Sequence, residues 1–137
     1  MCLSRSAVST LWTKNIRWFA GALQDCSLLT DALEEFEPDV AVHLAWQGLP
    51  DYSKEMCEQN VQISLRLLSE LLKSSVKRIV VAGSGFEYGS EQGELFESRK
   101  DDANNEYAKA KLELLREFGS SCSSAGIELV WTRIFCS

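Results

Sequence analysis

Short apolar runs alternate with helix-period segments along this chain, and that alternation narrows the possible folds more than any other feature. The clearest apolar run is Lys77 to Gly83, with Ile79, Val80, Val81 and Ala82 consecutive. Asp39 to Ala45 is a second, almost continuously apolar, as expected of a parallel strand covered on both faces. Ile127 to Phe135 is a third, Ile16 to Ala20 is β-prone up to Gly21, and Cys2 to Ser4 reads as the end of a strand. Between them lie helical patterns. Leu28, Leu29, Ala32, Leu33 and Phe36 share one helix face, with Asp25 or Ser27 as N-cap and Pro38 as stop. Lys54 to Lys73 is the longest helix, with Val61, Leu65, Leu68 and Leu72 as its buried stripe. Glu106 to about Ser120 is the last, turning Ala108, Leu112, Leu115 and Phe118 inward, and the serines from Ser120 to Ser124 read as a turn. Strands separated by helices imply right-handed crossovers and an α/β fold with a doubly wound parallel sheet.

Composition excludes several functions. The 137 residues suffice for one domain, and 45% hydrophobic with 25% charged residues is an ordinary soluble balance. A formal net charge of -6 argues against nucleic acid or an anionic membrane surface as partner. No apolar run reaches the ~20 residues that span a bilayer, and Met1 to Arg5 has neither the charged nor the apolar region of a signal peptide. Five scattered cysteines without a C-x-x-C fit reduced thiols in the cytoplasm. A single histidine, His43, excludes multi-histidine metal sites and reads as a strand-end residue packed in the sheet.

In open α/β sheets ligands bind beyond the carboxyl ends of the strands. Ser84 stands there after the Lys77–Gly83 run, as do His43 and Trp46 after the Asp39–Ala45 run. Tyr107 and Lys111 open the following helix four residues apart, hence on one face. A lysine beside a tyrosine favours the phenolate and brings the phenol towards working pH. Such a tyrosine exchanges a proton with an alcohol oxygen, and a serine hydroxyl can hold that oxygen. With a hydride acceptor at the same carbon, the three groups interconvert alcohol and ketone. The spacing alone is weak, since a tyrosine four residues before a lysine arises by chance in about 15% of such chains. Its place after a glycine-rich loop and an apolar strand makes it informative. Glu87, Glu94 and Glu97 read as solvated loop charges, with Glu87 as a lesser candidate to face substrate.

The blocks Pro38 to Trp46, Asn60, Val76 to Gly89, Tyr107 to Leu112 and Thr132 to Phe135 follow one another in a familiar order and spacing. On these blocks the chain resembles the extended short-chain dehydrogenase/reductase family, the NAD-dependent epimerases and dehydratases of sugar nucleotides. The segments from Gly83 to Gly89 and from His43 to Pro50 look most like members serving bacterial surface polysaccharides. The resemblance implies a Rossmann-like, NAD(P)-binding domain over 1–137 and a sugar nucleotide as substrate. It implies Ser84, Tyr107 and Lys111 as catalytic residues, with Tyr107 and Lys111 also on the cofactor. Leu44, Ala45, Trp46, Asn60 and Phe135 would line NAD or NADP, and Arg5, just past the first strand, could meet a 2′-phosphate. The two long helices resemble those that pair subunits in the family, implying a homodimer.

Departures from the pattern shape the expectations. Set against that resemblance, no glycine-rich first turn is found in these residues, Met1 would fall inside the family's second strand, and the family's substrate domain would lie beyond Phe135. The dinucleotide-binding domain is therefore expected to be partial. Without a central first strand, either the sheet closes over the gap or an edge stays unpaired. Gly21-Ala22-Leu23 lacks the carboxylate expected at its second position, and Gly85-Phe86 after Ser84 disfavours dehydration. The reading is an NAD(P)-dependent epimerase or reductase. The alternative is a chain that is catalytically silent by itself, or a non-catalytic module that binds a dinucleotide or dimerises.

Overall fold

In the computed structural model, residues 2–4, 16, 18–90, 93–98 and 101–135 are described. Among the described residues five strands and three helices follow in the expected order: β1 (Cys2–Ser4), β2 (Trp18–Ala20), α1 (Cys26–Phe36), β3 (Val40–His43), α2 (Lys54–Lys73), β4 (Arg78–Ser84), α3 (Glu106–Ala125) and β5 (Glu128–Ile134). All pairings are parallel. β4 lies between β3 and β5, with Val42 opposite Val80 and Val80 opposite Val130. Among the described residues β1 and β2 pair only with each other, in a separate two-stranded sheet. Of the two outcomes expected for the gap, the open one is found among the described residues: β3 pairs with β4 on one side and with no strand on the other. A cavity of about 490 Å³ runs along that edge, lined among others by Gly21, Leu23, Leu33, Val42 and Trp46.

Local chemistry explains the helix ends. Asp25 caps α1, its carboxylate accepting from the Leu28 amide, and Glu37 closes it in the left-handed conformation just before Pro38. Ser53 caps α2, and Asn105 caps α3 by accepting from the Ala108 amide at 2.8 Å. The serine run expected as a turn is helical. Phe118 and Cys122, one turn apart, are both buried, so α3 continues to Ala125 and stops at Gly126 in the left-handed region. Ser124 settles into that turn by donating to the Ser120 carbonyl.

The core lies between one face of the sheet and α2 and α3. Ile79, Val81, Leu114 and Phe118 are fully buried there, each worth about 1.5–3 kcal/mol of apolar burial. Leu29 and Leu33 bring α1 into the same cluster. The buried stripe of α2 runs through Cys57, Asn60, Val61, Ser64, Leu67, Leu68 and Leu71, while Leu65 and Leu72 sit at its margin. β3 corrects another expectation: its apolar run reads as covered on both faces, yet Val40 and Val42 are exposed on the face opposite His43. No helix among the described residues is long and apolar enough to cross a membrane.

His43 packs inward as expected. Its Nε2 shares a 3.0 Å hydrogen bond with the Ser64 hydroxyl, and its ring stacks on Phe118. Burial, reinforced by the positive charge of Lys111, lowers its pKa to about 4. Between pH 6.5 and 4 the unfolded chain therefore binds a proton at His43 that the folded chain does not, and stability falls on acidification through that window. The loss should total about 3 kcal/mol. Urea midpoints measured across this range should show it, and His43→Phe should flatten that part of the profile.

Candidate active site

β4 delivers Ser84 to its carboxyl end, where the backbone turns through one 3-10 turn, Gly85–Tyr88. Ser84 is buried, and its hydroxyl caps the turn by accepting from the Phe86 amide at 3.2 Å. Glu87 completes a capping box: its Oε1 accepts from the Ser84 amide at 2.7 Å. Glu87 is not a solvated loop charge and does not face outward; it is fully buried. Trp131 donates its indole N–H to both carboxylate oxygens, at 3.2 and 3.1 Å, and Arg133 donates Nε–H to Oε2 at 2.8 Å. Arg133 reaches on to Asp101 and lies over the Tyr88 ring, its Cζ 4.4 Å from the centroid. Burial opposes the guanidinium charge, but hydrogen bonds to Tyr88 and Glu87 and the carboxylates of Asp101 and Glu87 outweigh it, so its pKa is raised. Sequence reasoning missed this role of Glu87. The Ser84-x-x-Glu87 spacing is a capping-box signature and could have shown it.

The first turn of α3 presents Tyr107, and one turn later Lys111 enters the interior. The Lys111 ammonium donates to the Ala82 carbonyl at 2.8 Å, two residues before Ser84. It also lies 4.2 Å from the Trp46 ring centroid and 5.6 Å from that of Tyr107. Burial lowers its pKa to about 8, with the Glu87 charge acting the other way. Tyr107 meets Trp46 edge-on at 4.9 Å and packs near Tyr52 at 5.1 Å and Phe86 at 6.2 Å. Ser84, Tyr107 and Lys111, far apart in sequence, thus gather at the carboxyl ends of β3 and β4. Tyr52, missed in the sequence, joins them from the loop before α2.

Leu44, Ala45 and Trp46 follow β3 and line the cavity along its free edge, together with Asn60. Leu44 and Ala45 are exposed; the Trp46 indole N–H is buried with no hydrogen-bond partner among the described residues. Asn60 is buried and committed to backbone. Its Oδ1 accepts from the Gln47 amide at 2.7 Å, and its Nδ2 donates to the carbonyls of Gln47 and Met56 at 3.1 and 2.8 Å. It holds the loop that carries Trp46. Phe135 stacks on Tyr88 with centroids 6.0 Å apart and lies against Gly85, where a Cβ would stand 2.6 Å from its ring. Arg5 lies outside the described residues.

The family model of the NAD dependent epimerase/dehydratase family matches residues 2–136. The chain belongs to this family. Among curated proteins it is 28% identical over 123 residues to the UDP-glucose 4-epimerase of Neisseria gonorrhoeae, covering 81% of this chain and 36% of that one. The fold is shared with a Brucella ovis UDP-glucose 4-epimerase solved in complex with NAD (TM-score 0.77, 20% identity, 86% of this chain, 38% of that one). It is shared as well with a putative epimerase of Burkholderia cenocepacia (TM-score 0.78, 22% identity, 95% of this chain, 42% of that one). The chain therefore spans 36% to 42% of the length of these proteins.

Gly83 leaves no room for a side chain. A Cβ there would stand 2.2 Å from the Trp131 indole nitrogen and 2.7 Å from Glu87 Oε1. Gly83→Ala should force that pair apart and cost about 1–3 kcal/mol. Urea denaturation followed by tryptophan fluorescence measures both effects, and an unchanged midpoint with unchanged emission would refute the close packing.

Proposed function

We propose that this chain carries the proton-transfer site of an NAD(P)-dependent epimerase or reductase acting on a sugar nucleotide. The observation that carries the reading is the convergence of Lys111 on Ala82, Trp46 and Tyr107 beside the Ser84 turn. The apolar residues Leu44, Ala45 and Trp46, the unsatisfied Trp46 donor and the Lys111 ammonium fit the nicotinamide–ribose half of the cofactor. When bound, NAD or NADP supplies the hydride acceptor. In this reading the Ser84 hydroxyl holds the reacting sugar oxygen and Tyr107 takes its proton as the carbon–hydrogen bond breaks, leaving a ketone. Returning the proton from the Tyr107 phenol to that oxygen, with hydride delivered back to the carbon, reverses the step. Lys111, still charged below pH 8, stabilises the phenolate through the electrostatics of a nearby cation.

The UDP-glucose 4-epimerase relative makes a UDP-hexose the first substrate to try. Titration with NADH and with NADPH, followed by nucleotide fluorescence, should give saturable binding of at least one. With NAD+ and UDP-glucose, Tyr107→Phe should retain cofactor binding and lower turnover by about 10²–10⁴-fold. Turnover unchanged in that variant would sink the assignment. Saturable cofactor binding without any turnover in the wild type would favour the alternative instead, a chain catalytically silent by itself or a non-catalytic dinucleotide-binding module.

A further inference from the structure

We propose that Glu87 is a positioning residue that couples Ser84 to Tyr107. One buried carboxylate locks the serine turn to β5 and, through Arg133 and Asp101, holds the segment that leads into the tyrosine helix. The catalytic side of this proposal rests on the reading above, that Ser84 and Tyr107 act on one substrate oxygen.

The argument is geometric. Glu87 is fully buried, yet its two oxygens receive donors from two separate parts of the chain. The Ser84 amide comes from the end of β4, and the Trp131 indole and Arg133 Nε come from β5. Trp131 and Arg133 are two residues apart on one strand, so their side chains leave the same face and meet the same carboxylate. The relay then continues: the Arg133 guanidinium pairs with Asp101. The same glutamate holds this segment a second way, its carbonyl accepting from the Asp102 amide at 3.0 Å. Three residues on, Asn105 caps α3, and Tyr107 is the second residue of that helix. Gly89 confirms the tightness of the junction, since a Cβ there would meet the Asp102 carbonyl at 2.2 Å.

A carboxylate is needed because every group around it is a donor. An apolar side chain of similar size would fill the space but leave the Ser84 amide, the Trp131 N–H and the Arg133 Nε–H without the acceptor they share. The two arms also differ. Ser84 is bonded to Glu87 directly, whereas the Asp101 side chain is reached through Arg133. Loss of Arg133 should therefore remove the side-chain anchor at Asp101 and loosen the tyrosine segment, which keeps the Asp102–Glu87 backbone bond, and leave the serine turn in place.

Amide hydrogen exchange on the chain without ligand tests this. Glu87→Leu should speed exchange about tenfold at Ser84 and at residues 101–107. Arg133→Gln should speed it to the same extent at 101–107 and leave Ser84 unchanged. Val80 and the α2 amides serve as controls in both. If Arg133→Gln moved both arms or neither, or if exchange rose evenly over the whole chain, the coupling would be overturned. Should Glu87→Leu fail to fold, Arg133→Gln decides alone. Where the wild type turns over UDP-glucose, Arg133→Gln should lower kcat about tenfold to a hundredfold with KM within about twofold. In a Tyr107→Phe background it should cost nothing further, because the group it positions is already gone. Additive losses would mean a structural role only. Absence of turnover in the wild type would count against the catalytic reading and leave the exchange result standing.

Discussion

The pairing of β4 on both sides is the constraint on which the described structure depends. Seven residues, Arg78 to Ser84, are matched to Glu128–Ile134 on one edge, and four are matched to Val40–His43 on the other. Parallel pairing of neighbours in this order forces each connection to cross back over the sheet, and α2 and α3 are those crossings. They pack on the face that presents Ile79 and Val81, neither of which has any exposure. Once β4 is central and covered there, its carboxyl end can lie only among the loop after β3, the first turn of α3 and the end of β5. Ser84, Trp46, Tyr107 and Phe135 meet for that reason.

The site is then shaped by how buried charge is balanced. Lys111 brings an ammonium into the interior, where burial lowers its pKa to about 8. The Ala82 carbonyl and the Trp46 face offset part of that cost, and His43 beside it stays neutral because its own pKa falls to about 4. Next to Ser84, Glu87 is fully buried and is held by Arg133 and Trp131. Lys111 and Glu87 thus both lie near the serine turn, each with its own hydrogen-bond partners. Buried charges that are paired and bonded in this way rigidify their surroundings, whereas unpaired ones would unfold them.

Much of this was legible in the residues. The apolar run before Ser84 and the helical spacing of Lys54 to Lys73 located β4 and α2, and the four-residue step from Tyr107 to Lys111 marked a shared helix face. Other features escaped because they depend on what packs alongside. The serine run from Ser120 to Ser124 carries turn residues, but Cys122 lies one turn beyond Phe118 and its burial holds the helix together. Asn60 and Ser64 are polar, so the apolar stripe of α2 read past them; they are buried because Gln47 and His43 supply their hydrogen bonds. Val40 and Val42 read as covered, and are exposed because no helix among the described residues lies over that face.

By itself the sequence determined the order of strands and helices, the α/β class and the family, because periodicity and motif spacing are properties of the chain read in line. It also singled out Ser84, Tyr107 and Lys111 as the candidates for proton transfer. Only the tertiary structure decided that the β3 edge stands open, that Lys111 points inward onto Ala82, and that Glu87 is a buried acceptor for Ser84, Trp131 and Arg133. The reason is physical. A carboxylate or an ammonium has the same local preference for water wherever it occurs, and its burial is settled by partners more than forty residues away in the case of Glu87 and twenty-nine in the case of Lys111.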